Sequence, residues 1–285
     1  MVFIDTNIVY HKDHPEVTLR TALAAFESGF DAIVLNYICT GKPDKSDKGI
    51  PDSFVESIYR AINDRSTAAG ARVAALRVLN PARPRLRVYK RLTMVIEEKA
   101  QAQGLGQQST HLTKAYDVIA VTTLSDAVFQ EVFPALDIVD IVSLDVRSTF
   151  PLKRKVLNTI ASKGIKLELP VAPAIEKDIK EEKGKEKEKD GRQQRYQMQR
   201  NFVGQGLELV EETSAGRRGV IISSGARSPL ETRSPQDLAN VGVVLGMSME
   251  TAYSAVSTSV EAMITRGFTR KSTHVGLAMV TPMKK

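Results

Sequence analysis

The sequence predicts an α/β chain of (β/α)8 TIM-barrel type, and three observations carry that expectation. Short apolar runs alternate with amphipathic stretches from one end to the other, as βα units around a parallel sheet require. Several runs, residues 138–142 among them, are near-continuously apolar, which suits strands covered on both faces. A length of 285 residues with 42% hydrophobic content is enough for one large core, so residues 1–285 are expected to form a single barrel domain. A doubly wound sheet is the alternative arrangement of the same units.

In chain order, strands are expected at residues 2–5, 32–37, 92–96, 117–122, 138–144, 165–169 and 219–223. Between them, residues 16–28, 54–63, 125–132, 153–162 and 196–212 carry apolar positions at three and four spacing and are expected to be helical. Residues 176–191 are mostly Lys and Glu and bury too little apolar area to offset the entropy of ordering, which predicts a disordered loop insertion. A solvated helix held by i,i+4 Glu–Lys pairs is the other reading of that tract. Ser234-Pro235-Gln236-Asp237 reads as a capped helix start, with a stop at Gly246. Ser248 then caps a helix whose Ala252, Val256, Val260 and Met263 form one core-facing stripe. Residues 267–285 read as a basic C-terminal tail.

Composition narrows the chemistry. A single cysteine, Cys39, excludes an internal disulfide and a thiolate zinc cluster and fits a reducing compartment. No apolar run of about 18 residues is present and no basic flank with an apolar h-region opens the chain, so neither a membrane span nor secretion is expected. There are four histidines, too scattered to suggest a catalytic metal centre. Asp5, Asp145 and Glu168, with His11 and His14, sit near expected strand ends and are the material from which a metal-dependent phosphoesterase, the alternative function, would have to be built. Strand-end carboxylates more often cap helices or pair with Arg. Ser223-Ser224-Gly225-Ala226-Arg227 offers amides, hydroxyls and a guanidinium at a strand end, which suits either a phosphate or a tight turn that needs Gly225.

The net charge of +7 is unevenly placed: residues 60–99 hold ten Lys or Arg against three Asp or Glu, whereas residues 1–59 hold five against nine. Local excess of this kind is the footprint of phosphate-backbone binding, and it is also what a solvated basic face looks like. Arg85, Arg87, Tyr89 and Arg91 alternate with apolar residues, so an extended segment puts three guanidiniums and a stackable ring on one side. Arg85, Arg87, Lys90 and Arg91 are therefore the leading RNA-binding candidates. Arg154, Lys155, Arg227, Arg233, Arg270 and Lys271 are weaker ones, Arg227 and Arg233 because Glu231 is at hand to pair with them.

Several segments together resemble the roughly thirty-kilodalton TIM-barrel-like subunit shared by eukaryotic ribonuclease P and ribonuclease MRP. The similarity is carried by residues 219–231, continuing through 233–240 to Leu245-Gly246-Met247-Ser248 and 255–258, with support at 91–93, 116–121, 166–169, 173–175 and Arg270-Lys271. The Lys/Glu tract is where this chain departs from the pattern. The resemblance implies a barrel related to metal-dependent phosphoesterases but lacking their metal ligands, with no catalytic residue and no bound cofactor of its own. It implies a protein that braces a catalytic RNA, which would use Mg2+ to process the 5′ end of precursor tRNA, or precursor rRNA in the MRP particle. Implied partners are that RNA, precursor tRNA indirectly, and a small RRM-like or ferredoxin-like subunit resembling the fungal Pop-type protein; the implied location is the nucleus and nucleolus.

Overall fold

The computed structural model describes all residues except 42–48, 80–85, 103–114, 176–184, 218, 275–276 and 279–285. Seven strands, β1 (Ile4–Val9), β2 (Ala32–Thr40), β3 (Arg87–Val95), β4 (Val118–Thr122), β5 (Ile141–Ser143), β6 (Lys166–Pro170) and β7 (Val220–Ser223), form one sheet in sequence order. Each neighbouring pair is parallel. The principal helices are α1 (Pro15–Glu27), α2 (Asp52–Asn63), α3 (Ala68–Leu79), α4 (Arg154–Ser162), α5 (Lys185–Glu212), α6 (Pro235–Val244), α7 (Met249–Ala255) and α8 (Thr258–Ser272). At the seam, Ile8 bridges Ala226 in parallel and the Val9 amide donates to the Ala226 carbonyl at 2.9 Å, so β7 turns back onto β1 and the sheet curls into a nearly closed barrel.

The strand expected at residues 92–96 begins earlier, at Arg87, because its register partner β2 is itself nine residues long. Where a helix was expected at 125–132, a π-helical turn, Val128–Val132, runs into a 3-10 turn, Phe133–Ala135, that buries Val128, Phe129 and Phe133. The stripe Ala252, Val256, Val260 and Met263 is fully buried, but it is split between α7, the link at Val256 and α8. The Val256 carbonyl accepts from the Ile4 amide at the start of β1, and the Ser257 hydroxyl folds back onto the Tyr253 carbonyl at 2.5 Å, so the chain pivots there. Of the Lys/Glu tract, 176–184 lie outside the described residues, and from Lys185 onward it forms the first turns of α5. Residues 267–272 likewise belong to α8 and not to a tail.

Side chains alternate between two cores. Outward positions such as Ile33, Leu35, Leu92, Ile119, Val142, Leu167 and Ile222 pack beneath the surrounding helices. Inward positions Ile4, Ala32, Val34, Val118, Ala120, Ile141 and Ile221 meet one another and Val260, Met263 and Ile264 of α8. That helix therefore plugs the end of the barrel at which the strands begin. Its approach depends on Gly267, where an added Cβ would lie 2.2 Å from the Asp117 carbonyl oxygen. Charge completes the seal: Arg266 and Arg270 bond the buried Asp140 at 3.1 and 2.8 Å, and Lys271 reaches Asp117 at 2.6 Å.

The helix start at Ser234 is as its sequence indicates. The Ser234 hydroxyl accepts from the Asp237 amide at 3.1 Å, and the Asp237 carboxylate accepts from the Ser234 amide at 3.3 Å. Ser234→Ala should lower stability by about 1 kcal/mol, measured by urea denaturation, because α6 then loses the partner of one terminal amide. A change below about 0.3 kcal/mol would show that Pro235 and packing alone fix this helix start.

Candidate nucleic-acid interface

The centre of the barrel is polar. Arg91 on β3 and Glu168 on β6 are both fully buried and meet side on, with Nη1–Oε1 and Nη2–Oε2 each at 2.7 Å. Thr6 of β1 donates its hydroxyl to Glu168 Oε1 at 2.7 Å, while Arg91 Nη1 donates to the Thr6 carbonyl at 3.0 Å. Arg91 Nε donates to Thr93 Oγ1, Thr93 to Asn36 Oδ1, and Asn36 Nδ2 to Asn7 Oδ1, at 2.9, 2.7 and 2.7 Å. Burial pushes the Glu168 carboxyl up, but the Arg91 charge and hydrogen bonds from Arg91, Thr6 and Ser143 outweigh it and hold the group below its usual range.

This network corrects the assignment of Arg91 to RNA. Alternation did place Arg87, Tyr89 and Arg91 on one side of the strand, but that side is the barrel interior, and Arg91 has 0% of its surface accessible. The same pairing engages Glu168, one of the strand-end carboxylates considered as a metal ligand. Asp145 is held by Arg147 at 2.5 Å. Among the described residues no three His, Cys, Asp or Glu side chains converge.

Asp5 is the exception in this interior. Its Oδ1 accepts from the Asn7 and Ser224 amides at 3.2 and 3.1 Å while its Oδ2 is buried without a partner, and burial raises its pKa despite those bonds. A raised folded pKa contributes stability that is complete below the unfolded value, near 3.9, and is lost as pH rises through the folded one. Asp5→Asn keeps the Oδ1 acceptor, so at pH 7 it should lie within about 1 kcal/mol of the parent, and it should gain on the parent as pH rises above about 4 in urea melts. A variant that loses ground with rising pH would contradict this.

The turn at residues 223–227 is the structural reading of that segment. Gly225 has φ +65° and its missing Cβ would stand 3.0 Å from Pro170 Cβ. The amides of this turn are taken: Ser224 by Asp5, Ala226 by Ser224 Oγ, and Arg227 by Glu231 at 2.8 Å. The Arg227 side chain is exposed, and its carbonyl is within 2.9 Å of His11 Nε2. Arg233 does not pair with Glu231 but donates to the carbonyls of Leu230 and Thr232 at 3.0 and 2.8 Å.

The other candidates divide by environment. Arg85 lies outside the described residues. Arg87 is exposed and stands near the Tyr89 hydroxyl, whose pKa is raised by burial, an effect the neighbouring guanidinium partly offsets. Lys90 points away from the lumen, paired to Asp52 at 2.6 Å. Arg270 and Lys271 are committed to the seal beneath the barrel, which corrects their placing as members of a basic tail. Arg154 and Lys155 are exposed, and they are the two that the fold sets in a shaped surface.

That surface is α4. Helix α5 fixes its position: Gln205 donates to Ser148, Glu208 accepts from the Leu152 amide at 2.9 Å, and Glu212 pairs with Arg154 at 2.7 Å. Leu157 and Ile160 bury the opposite face. Lys153, Arg154 and Lys155 crowd the N-terminal end, with no acidic residue in the first turn and no side-chain cap. Cations at a helix N-terminus oppose the macrodipole, so this arrangement costs stability and concentrates positive potential. Arg154, Lys155, Asn158, Thr159 and Ser162 line a shallow depression there. Lys153, Asn158, Thr159 and Ser162 were missed from sequence, although the spacing 155, 159, 162 is that of one helix face.

The geometry defines a class: a parallel α/β barrel plugged at one end by its own helix, locked in its lumen by an Arg–Glu pair, and basic on one outer helix. Comparison with known proteins supplies the family. Residues 2–272 match the model of the family described as RNase P subunit p30, and the chain belongs to that family. It is 30% identical over 202 residues to the ribonuclease P protein subunit p30 of Mus musculus, a match covering 70% of this chain and 66% of the mouse protein, just under two thirds. A probable ribonuclease P protein subunit 3 of Schizosaccharomyces pombe is 24% identical over 279 residues, covering 96% of this chain and 97% of that one. In a cryo-EM structure of archaeal ribonuclease P with mature tRNA, one chain shares the fold with a TM-score of 0.58 and 16% identity, covering 99% of this chain and all of that one.

Proposed function

We propose that this protein is a non-catalytic, RNA-binding subunit of the ribonuclease P and MRP ribonucleoproteins. The observation that carries the reading is membership of the p30 family across residues 2–272. The basic N-terminal end of α4 supports it, because it places charge where folding alone disfavours it. In this reading the chain braces the RNA, the Mg2+-dependent cleavage of precursor tRNA and precursor rRNA belongs to the RNA, and the protein works in the nucleus and nucleolus beside a small RRM-like or ferredoxin-like subunit. Arg154 and Lys155 hold phosphates along the depression and Lys153 at the helix start beside it, with Asn158, Thr159 and Ser162 offering amide and hydroxyl groups. Arg87 and Arg227 are secondary contacts.

The reading is tested by incubating the purified protein with ribonuclease P RNA and mapping ultraviolet crosslinks by mass spectrometry. Crosslinked peptides from residues 153–162 are expected. Retention of RNA with crosslinks confined to other faces would remove α4 from the interface, and no retention at low salt would overturn the proposal.

A further inference from the structure

The plugged end of the barrel carries an aromatic feature that neither the fold nor the phosphate contacts require. Phe268 follows Val260, Met263 and Ile264 along α8, but where those three are buried, Phe268 is 42% exposed. Its ring meets that of Tyr89 edge-on, with centroids 5.9 Å apart and planes at 68°. Arg87, exposed at the first position of β3, stands near the Tyr89 hydroxyl. An exposed ring on a helix is commonplace; one set edge-on against a second, half-buried ring is oriented.

The charge around the ring decides what it suits. The rim holds Arg87, Arg266, Arg270, Lys271 and Lys166 against Asp31, Asp117 and Asp140, so cations outnumber carboxylates among these groups. Gly164, which follows α4, lies beside the Arg266 side chain, so the phosphate-binding helix of the proposed function runs toward this rim. A fixed ring in an anion-attracting setting matches an unpaired nucleobase whose flanking phosphates meet the cations.

We infer that Phe268 is a stacking platform for one unpaired base of the bound RNA, with Tyr89 orienting the ring and Arg87 meeting an adjacent phosphate. The inference rests on the RNA-binding reading above and adds a site at the opposite end of the barrel from its C-terminal loops, with a preference for single-stranded over duplex RNA.

The test uses the full chain and a single-stranded oligoribonucleotide carrying one 2-aminopurine, with a duplex of the same length as control. Phe268→Ala should weaken single-strand binding by roughly 5- to 100-fold, leave the salt slope unchanged, and abolish the fluorescence quenching that stacking produces. Phe268→Trp should preserve both affinity and quenching, while Phe268→Leu, which keeps the packing against Tyr89, should behave as the Ala variant and show that the loss is not unfolding. Arg87→Ala should instead lower the salt slope by about 0.7 to 0.9. Wild-type binding with Phe268→Ala unaltered in affinity and quenching would overturn the inference and leave RNA binding standing. Equal losses on single strand and duplex would also overturn it, and an inability of the wild-type protein to bind either would overturn both readings.

Discussion

Arg91→Ala should cost about 3–5 kcal/mol of stability, the largest effect of any single substitution here, because it leaves the Glu168 carboxylate buried without its counter-charge. Glu168→Gln should cost somewhat less, since the amide oxygen still accepts from Thr6 and Arg91 while the charge on Arg91 is stranded. Replacing both partners by apolar residues of similar volume, Arg91→Met with Glu168→Leu, should recover most of the loss, and the difference is the coupling energy of a double-mutant cycle. The pH dependence has a definite sign. A carboxyl held below its unfolded pKa contributes stability that is present above that value, near 4.3, and is lost as pH falls through the folded one. The gap between the parent and Glu168→Gln should therefore be widest near neutrality and close below about pH 4. A gap that widens in acid, or an Arg91→Ala variant within 1 kcal/mol of the parent, would mean that the barrel does not depend on this lock.

The second large effect separates stability from binding on α4. Lys153→Gln and Lys155→Gln each remove a cation from the positive end of the helix dipole, so each should raise stability by a few tenths of a kcal/mol at low ionic strength. Each should at the same time weaken ribonuclease P RNA roughly tenfold and lower the salt slope by about 0.7 to 0.9. Opposite signs in the melt and the binding curve are the signature of charge kept for a ligand. Falls in both would mean that these side chains are structural, and unchanged binding would make them a solvated end.

Much of this architecture was legible because its signals are local. The apolar runs at 32–37, 117–122 and 165–169 mark strands wherever they pack, and Ser234-Pro235-Gln236-Asp237 carries its capping box within four residues. What was not legible depends on closure. Alternation grouped Arg87, Tyr89 and Arg91 on one face, yet whether that face is solvent or lumen is decided by Glu168, 77 residues further along the chain, and by curling of the sheet until β7 meets β1. Arg270 and Lys271 read as tail cations for the same reason: Asp117 and Asp140, which bind them, are more than a hundred residues away. The break between α7 and α8 needed the Ile4 amide to claim the Val256 carbonyl. The α4 surface was half visible, as two cations without the helix face beside them.

The measurement closest to the central claim is the affinity of the purified 285-residue chain for ribonuclease P RNA as a function of salt concentration. A subunit that holds RNA through α4 and the rim of the plugged end should bind tightly at low salt, with log K falling linearly against log salt at a slope of about −2 or steeper, as three or more phosphate contacts require. The combined Lys153→Gln, Arg154→Gln and Lys155→Gln variant should flatten that slope by roughly two units, and the Lys153→Gln, Lys155→Gln pair, which keeps the Arg154–Glu212 bridge, should melt no earlier than the parent. Binding that is absent at low salt, or a slope that those three substitutions leave unchanged, would contradict the account.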